Sequence, residues 1–344
     1  KIGEKILKLI KKLYPFNRSL TGPGNLETLK MIKNIIPKLK ILKFKSGKKV
    51  FDWKIPPEWS VKSAYIINSN GKKILDFKKN NLHLLGYSQS INLSLKLDDL
   101  KKNLFTLPKQ PNAIPYVTSY YKKNWGFCIS YNQLKKLSKG NYKAVINTNF
   151  KKNGKLIVGE LLVKGKSKKE IIISTNICHP SMVNNELSGP CLATFLAEHL
   201  NTKKNFYTYR FIFAPETVGM LAYLSKRSSI IKKNFKAGYH LTCIGDKGPF
   251  SMIKTINEDS YSDKIASTVL NFYKNSIKHS FLTRGSDERQ YNSPKINLPV
   301  ATLMRTKFNS YKEYHTSLDN LKIVSKKSLE DSFNYVLRVL NFIE

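Results

Sequence analysis

Apolar and polar positions along this chain follow three different rhythms. The first 45 residues contain two helical patterns, and in the second one Asn25 can cap a helix whose apolar residues recur at helical spacing until Pro37. From about residue 47 to about residue 151, short alternating runs are separated by turn residues, which predicts β-strands, for example at 63–67 and 116–121. After Gly154, continuous apolar strands alternate with amphipathic helices.

This last rhythm predicts a doubly wound α/β fold with a mixed sheet. Strands are expected at 170–177, 209–214, 237–244 and 298–304, and helices at 190–200 and after Glu216. We predict a discontinuous α/β domain, residues 1–46 and 152–344, interrupted by a nested β-rich domain, residues 47–151. In such sheets ligands bind beyond the carboxyl ends of the strands. His179, Glu216 and Asp246 each follow a predicted strand, so we expect them to meet at one rim.

Composition indicates a folded protein with an unusually basic surface. The chain has 344 residues, of which 41% are hydrophobic, enough for a sizeable core. Its formal net charge is +37, but only seven of its 60 basic residues are arginine, and the lysines are spread over every segment. Proteins that read nucleic acids cluster their basic residues and use arginine forks. We therefore interpret the lysines as a solvated surface and expect no specific nucleic-acid partner.

The sequence also bears on compartment and redox state. No apolar run of about 18 residues occurs, and residues 1–14 resemble a basic amphipathic helix without a cleavage-site pattern. We expect a cytoplasmic protein without a membrane partner, and oligomerisation is left open. The four cysteines lie in apolar settings without paired spacing, which favours reduced core thiols.

Two histidines dominate the candidate chemistry. His179 directly follows the strand at 170–177, and His315 lies in the segment EYHTSLD at 313–319. Imidazole and carboxylate are usual ligands of zinc, and a catalytic zinc needs only three protein ligands beside a water. Glu216 follows the next strand, where it could act as general base toward that water. Each residue could equally be a satisfied buried polar group, so spacing alone leaves the interpretation open.

Longer motifs extend along nearly the whole chain. They are YPFNRSLTG at 14–22, FDW at 51–53, PEW at 57–59, IPYVTSYY at 114–121, WGFC at 125–128, CHPS at 178–181, NELSGP at 185–190, PET at 215–217, SDERQY at 286–291 and EYHTSLDN at 313–320. On these motifs the chain resembles the zinc-dependent aminopeptidase-like exopeptidases. Among them it is most similar to bacterial aminopeptidase-like proteins that carry a nested domain of unknown function.

The resemblance implies roles for some residues and departures at others. In the wider family the pattern has two histidine ligands, a bridging aspartate, a glutamate pair of base and ligand, and a further aspartate. His179 and His315 match the histidines, and Glu216 matches the base. The other three positions carry Asn185, Thr217 and Thr242. Two divalent ions about 4 Å apart would repel strongly without a bridging carboxylate, so one Zn²⁺ ion is expected rather than two.

A single zinc ion needs one more ligand, and the resemblance leaves two candidates. Glu186 is next to the lost bridging position, and Asp287 lies in a loop that the resemblance assigns to the active-site cleft. If Asp287 instead binds a substrate amine, Arg289 would orient it or bind a substrate carboxylate. The predicted substrate-binding residues are Asn185, Glu288, Arg289, Tyr314 and Asp319.

The predicted function is zinc-dependent hydrolysis of amide bonds by an aminopeptidase acting on short peptides. Relatives of this group resemble products of genes beside surface-polysaccharide biosynthesis, so an amidase or deacylase acting on an amino sugar or related metabolite is an alternative. A degenerate peptidase fold that only binds its ligand is a second alternative, because three expected ligands are absent. A polyanion-binding protein is a third, suggested by the charge of +37. Many such relatives continue into a winged-helix domain that these 344 residues do not include.

Overall fold

The computed structural model describes residues 1–344 and confirms the predicted α/β fold class. Its helices are α1 (Ile2–Leu13), α2 (Pro23–Ile35), α3 (Leu97–Lys101), α4 (Tyr131–Lys135), α5 (Ser188–Asn201), α6 (Val218–Asn234), α7 (Tyr261–Leu270), α8 (Glu288–Tyr291) and α9 (Lys326–Asn341). Short 3₁₀ helices span Asn81–His83 and Phe281–Thr283, and a π-helix spans Val183–Leu187.

The strands are β1 (Lys40–Lys45), β2 (Lys49–Val50), β3 (Trp53–Lys54), β4 (Glu58–Ile67), β5 (Lys73–Asp76), β6 (Ile91–Lys96), β7 (Leu104–Phe105), β8 (Phe127–Cys128), β9 (Asn141–Lys151), β10 (Lys155–Val163), β11 (Glu170–Asn176), β12 (Thr208–Ala214), β13 (Phe235–Leu241), β14 (Ser251–Ile253), β15 (Ile277–His279) and β16 (Val300–Met304). Eight of them form the principal sheet in the order β1-β10-β12-β11-β13-β16-β14-β15. The central strands β12, β11, β13 and β16 are parallel, whereas β10 and β14 run against their central neighbours.

Both faces of the principal sheet are buried, which explains its continuous apolar strands. In β11, Ile171 and Ile173 belong to a core shared with helices α1, α2, α5, α7 and α9, whereas Ile172 belongs to a core shared with α6. Successive side chains of a strand point to opposite faces, so a strand covered on both sides is apolar at nearly every position.

The second sheet is antiparallel and has four strands in the order β5-β4-β9-β6. All four lie between Glu58 and Lys151, within the range assigned to the nested domain, whose boundaries stay a prediction. Its buried residues Ala64 and Ile66 belong to the same apolar cluster as Ile172 of the principal sheet. The nested region therefore packs against one face of the α/β fold, and it also contains the short helices α3 and α4.

Two local predictions are wrong. Asn25 does not cap α2, which begins at Pro23 after Gly22; its amide instead accepts a hydrogen bond from the Ser19 N–H and donates one to the Ser19 carbonyl. The segment 116–121 is not a strand but an irregular loop with one isolated bridge, between Thr118 and Gly86. In both cases contacts with distant or preceding backbone override the local pattern.

The parallel centre of the sheet determines where the polar residues meet. β11, β12 and β13 end side by side, and the chain continues from β11 and β12 into His179 and Glu216. The carboxyl ends of the three strands form one edge, as the alternating pattern predicts. Asp246, the third residue expected here, lies beyond Thr242 and accepts hydrogen bonds from Asn184 Nδ2 and the Gly248 N–H. None of the helices is both long enough and apolar enough to cross a bilayer.

Candidate metal and catalytic site

His179 is buried at this edge and is held by Glu186 from behind. Its ring Nδ1 lies 2.6 Å from Oε2 of Glu186, and its backbone N–H donates to Oε1 of the same carboxylate at 2.9 Å. The Arg18 guanidinium, itself fully buried, donates through Nε to the His179 carbonyl at 3.0 Å. Because Nδ1 is occupied by the carboxylate, Nε2 is the ring nitrogen left for the cleft.

Both oxygens of Glu186 are therefore used on His179. A carboxylate behind a ligating histidine fixes the tautomer and orientation of its ring. This geometry argues against Glu186 as the third metal ligand, because a metal bond would have to replace its contact with His179.

His315 lies next to His179, with their ring centroids 5.2 Å apart. Tyr314 stacks on His315 at 3.9 Å between ring centroids, and Tyr116 of the nested region packs edge-on against both imidazoles. The Tyr116 backbone N–H donates to the His315 carbonyl at 2.8 Å. The His315 Nε2 atom is buried without any hydrogen-bond partner. Two neighbouring loops thus fix one ring that has an unsatisfied nitrogen.

Glu216 reaches the same space from the end of β12. Its Oε2 lies 3.8 Å from Nε2 of His179, and its Oε1 accepts a hydrogen bond from the Ser286 hydroxyl at 2.9 Å. Its backbone N–H donates to Sγ of Cys178 at 3.2 Å. The carboxylate is therefore anchored through one oxygen, while the other faces an imidazole.

Asp287 is fully buried near Glu216 and only half satisfied. Its Oδ1 accepts a hydrogen bond from the Thr217 N–H at 2.8 Å, whereas Oδ2 has no partner. Thr217 adopts a positive φ of 60° with ψ of −81°. A non-glycine residue held in this region costs about 1–3 kcal/mol, and such strain clusters at functional sites. Here the strained peptide aims its N–H at the buried carboxylate.

Asp319 clamps the loop that carries Glu186. Its carboxylate accepts hydrogen bonds from the backbone N–H groups of Val183, Asn184 and Asn185 at 3.0, 2.6 and 2.9 Å, and another from the Tyr311 hydroxyl at 3.2 Å. These N–H groups open the π-helix that precedes α5, so the carboxylate satisfies donors that have no partner within a helix. Asp319 is fully buried. This geometry argues against its predicted role in binding substrate.

The remaining predicted substrate-binding residues differ in whether their polar atoms are free to contact a ligand. Glu288 is fully buried, and its oxygens accept from the backbone N–H groups of Gly285 and Ser286 and from the Thr302 hydroxyl, which argues against a substrate contact. Arg289 is exposed and donates to the Thr217 hydroxyl and the Ser286 carbonyl. Asn185 is buried with its Oδ1 unsatisfied. Arg289 and Asn185 thus keep hydrogen-bonding capacity for a ligand.

Burial and neighbouring charges shift the proton affinities of this cluster. Burial lowers the pKa of His179, but Cys178 and Glu186 outweigh it and raise the pKa well above the ordinary value. Burial, with the adjacent His179, lowers the pKa of His315 to about 3. Burial raises the pKa of Glu216, and burial together with Glu216 raises the pKa of Asp287 well above its usual range. These shifts favour a protonated ring at His179 and a neutral ring at His315, and burial disfavours the charged forms of both carboxyl groups.

These features suit a cation. His315 Nε2, Asp287 Oδ2 and Asn185 Oδ1 are buried without partners, which is costly unless a ligand satisfies them. Cys178, His179 and Glu186 form the one group of three ligand-type side chains whose donor atoms all lie within 4.8 Å of one another. Its geometry is less suitable, since Glu186 is committed to His179 and burial raises the pKa of the Cys178 thiol to about 12.

Several residues of the site carry no signal in the sequence pattern. Tyr116 lies far along the chain in the nested region, and Arg18 lies in the first loop, though both fall in motifs of the family resemblance.

His240 is a satisfied buried histidine, with hydrogen bonds to Ser174 and Ser286. Cys178 and the other three cysteines are free and buried, which agrees with their interpretation as core thiols.

The fold that brings these residues together is that of known aminopeptidases. A zinc aminopeptidase from Bacillus subtilis aligns with 98% of this chain and 94% of its own chain, at a TM-score of 0.67 and 14% identity. A peptidase M28 precursor from Shewanella amazonensis aligns with 99% of this chain and 94% of its own, at a TM-score of 0.67 and 12% identity. The protein therefore has the aminopeptidase-type α/β fold.

The chain belongs to the family described as domain of unknown function DUF4910, whose model matches residues 7–344. A relative from Clostridium acetobutylicum is 44% identical over 343 residues, which are 99% of this chain and 78% of that protein. Its name is "Putative polysaccharide biosynthesis protein with aminopeptidase-like domain". A crystal structure from the same organism superimposes at a TM-score of 0.96 with 44% identity, over 99% of this chain and 80% of that one. The predicted resemblance is confirmed at the level of fold and of an aminopeptidase-like relative.

Proposed function

We propose that this protein is a metal-dependent hydrolase of amide bonds, acting as an aminopeptidase on short peptides. The observation that carries the proposal is the approach of the His179 and His315 rings to 5.2 Å, with Glu216 Oε2 3.8 Å from His179 Nε2. Two imidazoles and a carboxylate free on one oxygen are the usual parts of a catalytic zinc site.

One Zn²⁺ ion would be held by His179, His315 and Asp287. Their donor atoms do not all lie within 4.8 Å of one another, so binding would draw the three side chains together. The unsatisfied Nε2 of His315 and Oδ2 of Asp287 support this choice, and Glu186 serves as the orienting partner of His179. The absence of a bridging carboxylate at Asn185 supports one ion rather than two. When bound, the ion would acidify a water molecule and polarise the amide carbonyl.

The chain's own residues then carry the proton and position the substrate. Glu216, with Oε1 fixed by Ser286, uses Oε2 to take a proton from the attacking water and returns it to the nitrogen of the leaving amine. Arg289 is exposed beside Thr217 and would bind a substrate carboxylate. Tyr314 and Tyr116 pack on the imidazoles and would hold the two rings in place.

A second candidate is an amidase or deacylase acting on an amino sugar. Two observations favour it: the name of the Clostridium acetobutylicum relative, and a surface cavity beside Arg289 lined by the rings of Phe51 and Trp53 and by Lys295. Aromatic faces with adjacent polar and charged groups are suited to a sugar ring. Peptide and amino-sugar substrates would use the same water and base.

A substrate panel separates the two candidates. Short peptides with free and with acetylated amino termini, and N-acetylated amino sugars, are offered to zinc-loaded wild type, to Glu216→Gln, and to Asp98→Asn, whose carboxylate is solvent-exposed in the nested region. We expect release of the amino-terminal residue, reduced about 10²–10⁴-fold in kcat by Glu216→Gln and unchanged by Asp98→Asn. Cleavage confined to N-acetyl sugars would support the second candidate. Equal activity of Glu216→Gln and wild type would overturn the proposed base.

A further inference from the structure

A chain of buried hydrogen bonds runs from the middle of the principal sheet to Glu216. The Ser174 hydroxyl lies 3.0 Å from Nδ1 of His240, and Nε2 of His240 lies 3.1 Å from the Ser286 hydroxyl. Ser286 in turn donates to Oε1 of Glu216 at 2.9 Å. Asn176 completes the set, since its Nδ2 donates to the Ser286 oxygen at 3.1 Å.

Strands of the principal sheet carry most members of this chain of hydrogen bonds. Ser174 of β11 and His240 of β13 are directly paired across the sheet, and Asn176 lies two residues after Ser174, on the same face. Ser174 and His240 have no exposed surface, and Ser286 is 4% exposed. Water therefore cannot replace the bonds among Ser174, His240 and Ser286, and the hydrogens in these bonds must have a defined direction.

If Glu216 is ionised, counting the hydrogens at Ser286 fixes that direction. A hydroxyl has one hydrogen to donate and two lone pairs to accept. The Nδ2 group of Asn176 can only donate to it, and an ionised Glu216 can only accept from it. His240 Nε2 must then carry a hydrogen and donate to Ser286, which leaves Nδ1 to accept from the Ser174 hydroxyl.

We propose that Ser174, His240 and Ser286 are positioning residues that fix the orientation of the Glu216 carboxyl group through hydrogen bonds, with His240 as the Nε2–H tautomer. The chain occupies Oε1 of Glu216 and leaves Oε2, 3.8 Å from His179 Nε2, as the oxygen that takes the proton. This division of the two oxygens rests on the proposed hydrolase function.

The opposite direction is also self-consistent, and it makes the idea testable. If Oε1 of Glu216 carried a proton, it would donate to Ser286, Ser286 would donate to His240 Nε2, and His240 would be the Nδ1–H tautomer. In that state the carboxyl group already holds the proton that a base must accept. The tautomer of His240 therefore reports which state the site adopts.

The first test reads that tautomer without any substrate. Nitrogen-15 NMR of the full chain labelled at histidine, at pH 7, distinguishes the neutral tautomers, and His240→Gln identifies the signal. We expect His240 to be neutral with its hydrogen on Nε2. A neutral ring with its hydrogen on Nδ1, or an imidazolium, would overturn the proposal.

The second test asks whether this chain of hydrogen bonds affects the rate of catalysis through Glu216. Ser286→Ala should lower kcat about 10–100-fold with KM and zinc content unchanged, because it removes one hydrogen bond to a charged group. Ser286→Thr, which keeps the hydroxyl, should recover most of that loss. Ser262→Ala is the matched control, since this buried hydroxyl bonds only Gly238 and Pro299.

The two tests separate this inference from the proposed function. Wild type that hydrolyses nothing, but shows the Nε2–H tautomer, would refute the hydrolase and leave the direction of the chain intact. An active wild type with Ser286→Ala equally active would refute the positioning role and leave the hydrolase intact.

Discussion

At the scale of single residues, Glu186 and Asp287 show how two buried carboxylates beside one site can differ. Both oxygens of Glu186 contact His179, whereas Asp287 keeps one oxygen without a partner. Because Glu186 lies next to Asn185 in the sequence, it was as strong a candidate for the third zinc ligand as Asp287. Only the three-dimensional contacts distinguish an orienting carboxylate from a ligating one.

This difference predicts unequal effects on zinc affinity. Glu186→Gln should weaken zinc binding about 10–100-fold, the usual effect of losing a group behind a ligating histidine. Asp287→Ala should weaken it more, because it removes a ligand. Competition titration with a chelating dye measures both constants. A larger effect of Glu186→Gln than of Asp287→Ala would reverse the assignment.

His240 gives a prediction for stability against pH. Burial lowers its pKa from 6.5 to about 4 in the folded protein, so the unfolded chain binds a proton first as the pH falls. The stability contributed by this residue is therefore complete above pH 6.5 and lost as the pH falls toward 4. The difference corresponds to about 3 kcal/mol.

Urea unfolding of wild type and His240→Gln between pH 7 and pH 4 tests this prediction. The free energy of unfolding should fall more steeply with acidity in wild type, because the amide side chain of the variant does not titrate. Parallel curves for the two proteins would contradict the assigned pKa.

At the scale of elements, the loop between β11 and α5 is held by a residue that comes far later in the chain. Asp319 accepts from three consecutive backbone N–H groups of this loop. The sequence indicates the strand, the loop and the start of α5, since apolar periodicity and Pro190 are local signals. It gives no sign that Asp319 closes the loop, because that contact spans more than 130 residues.

Removing this clamp should destabilise the fold. Asp319→Ala leaves the buried N–H groups of Asn184 and Asn185 without an acceptor, whereas Val183 keeps the backbone carbonyl at position 319. We expect a loss of about 2–5 kcal/mol in the free energy of unfolding. Asp331→Ala is the control, because Asp331 forms a surface pair with Lys327 within α9 and should cost less than about 0.5 kcal/mol. Equal losses in urea unfolding would show that Asp319 does not support the loop.

The contrast between local signals and distant contacts also explains which elements could be predicted from the sequence. The four central strands β11, β12, β13 and β16 follow from apolar runs, because both of their faces are buried. The other strands of the principal sheet, β1, β10, β14 and β15, were not predicted. Segment 116–121 looked like a strand, yet it bridges the nested region to the loop of His315. Glu288 is predicted to bind substrate, and in the structure its Oε1 accepts hydrogen bonds from the backbone N–H groups of Gly285 and Ser286. Contacts with distant residues or with backbone groups leave no signal in the local pattern.

At the scale of the whole molecule, two regions share one site and one core. The β-rich region contributes Tyr116 against both imidazoles, and its buried residues continue the apolar cluster on one face of the principal sheet. The rim at the carboxyl ends of β11, β12 and β13 could be predicted from the order of elements. The contribution of the nested region could not, because no local pattern indicates which face it covers.

The surface charge is a property of the whole chain. The net charge of +37 comes from lysines spread over every segment, and most ion pairs that involve lysine are exposed. Such pairs contribute little to stability, and a field of this kind attracts polyanions without selecting a sequence. The buried site, and not the surface charge, therefore carries the proposed function.

The central claim is that His179 and His315 bind one zinc ion, and metal content measures this most directly. Protein purified without a metal-binding tag, then supplied with zinc and desalted, is analysed by plasma mass spectrometry as wild type, His179→Ala, His315→Ala and the control His199→Ala, whose ring packs on Phe333 away from the site. We predict about one zinc per chain in wild type and control, lost in the two site variants. Folded wild type without zinc, or zinc retained by both site variants, would contradict the account.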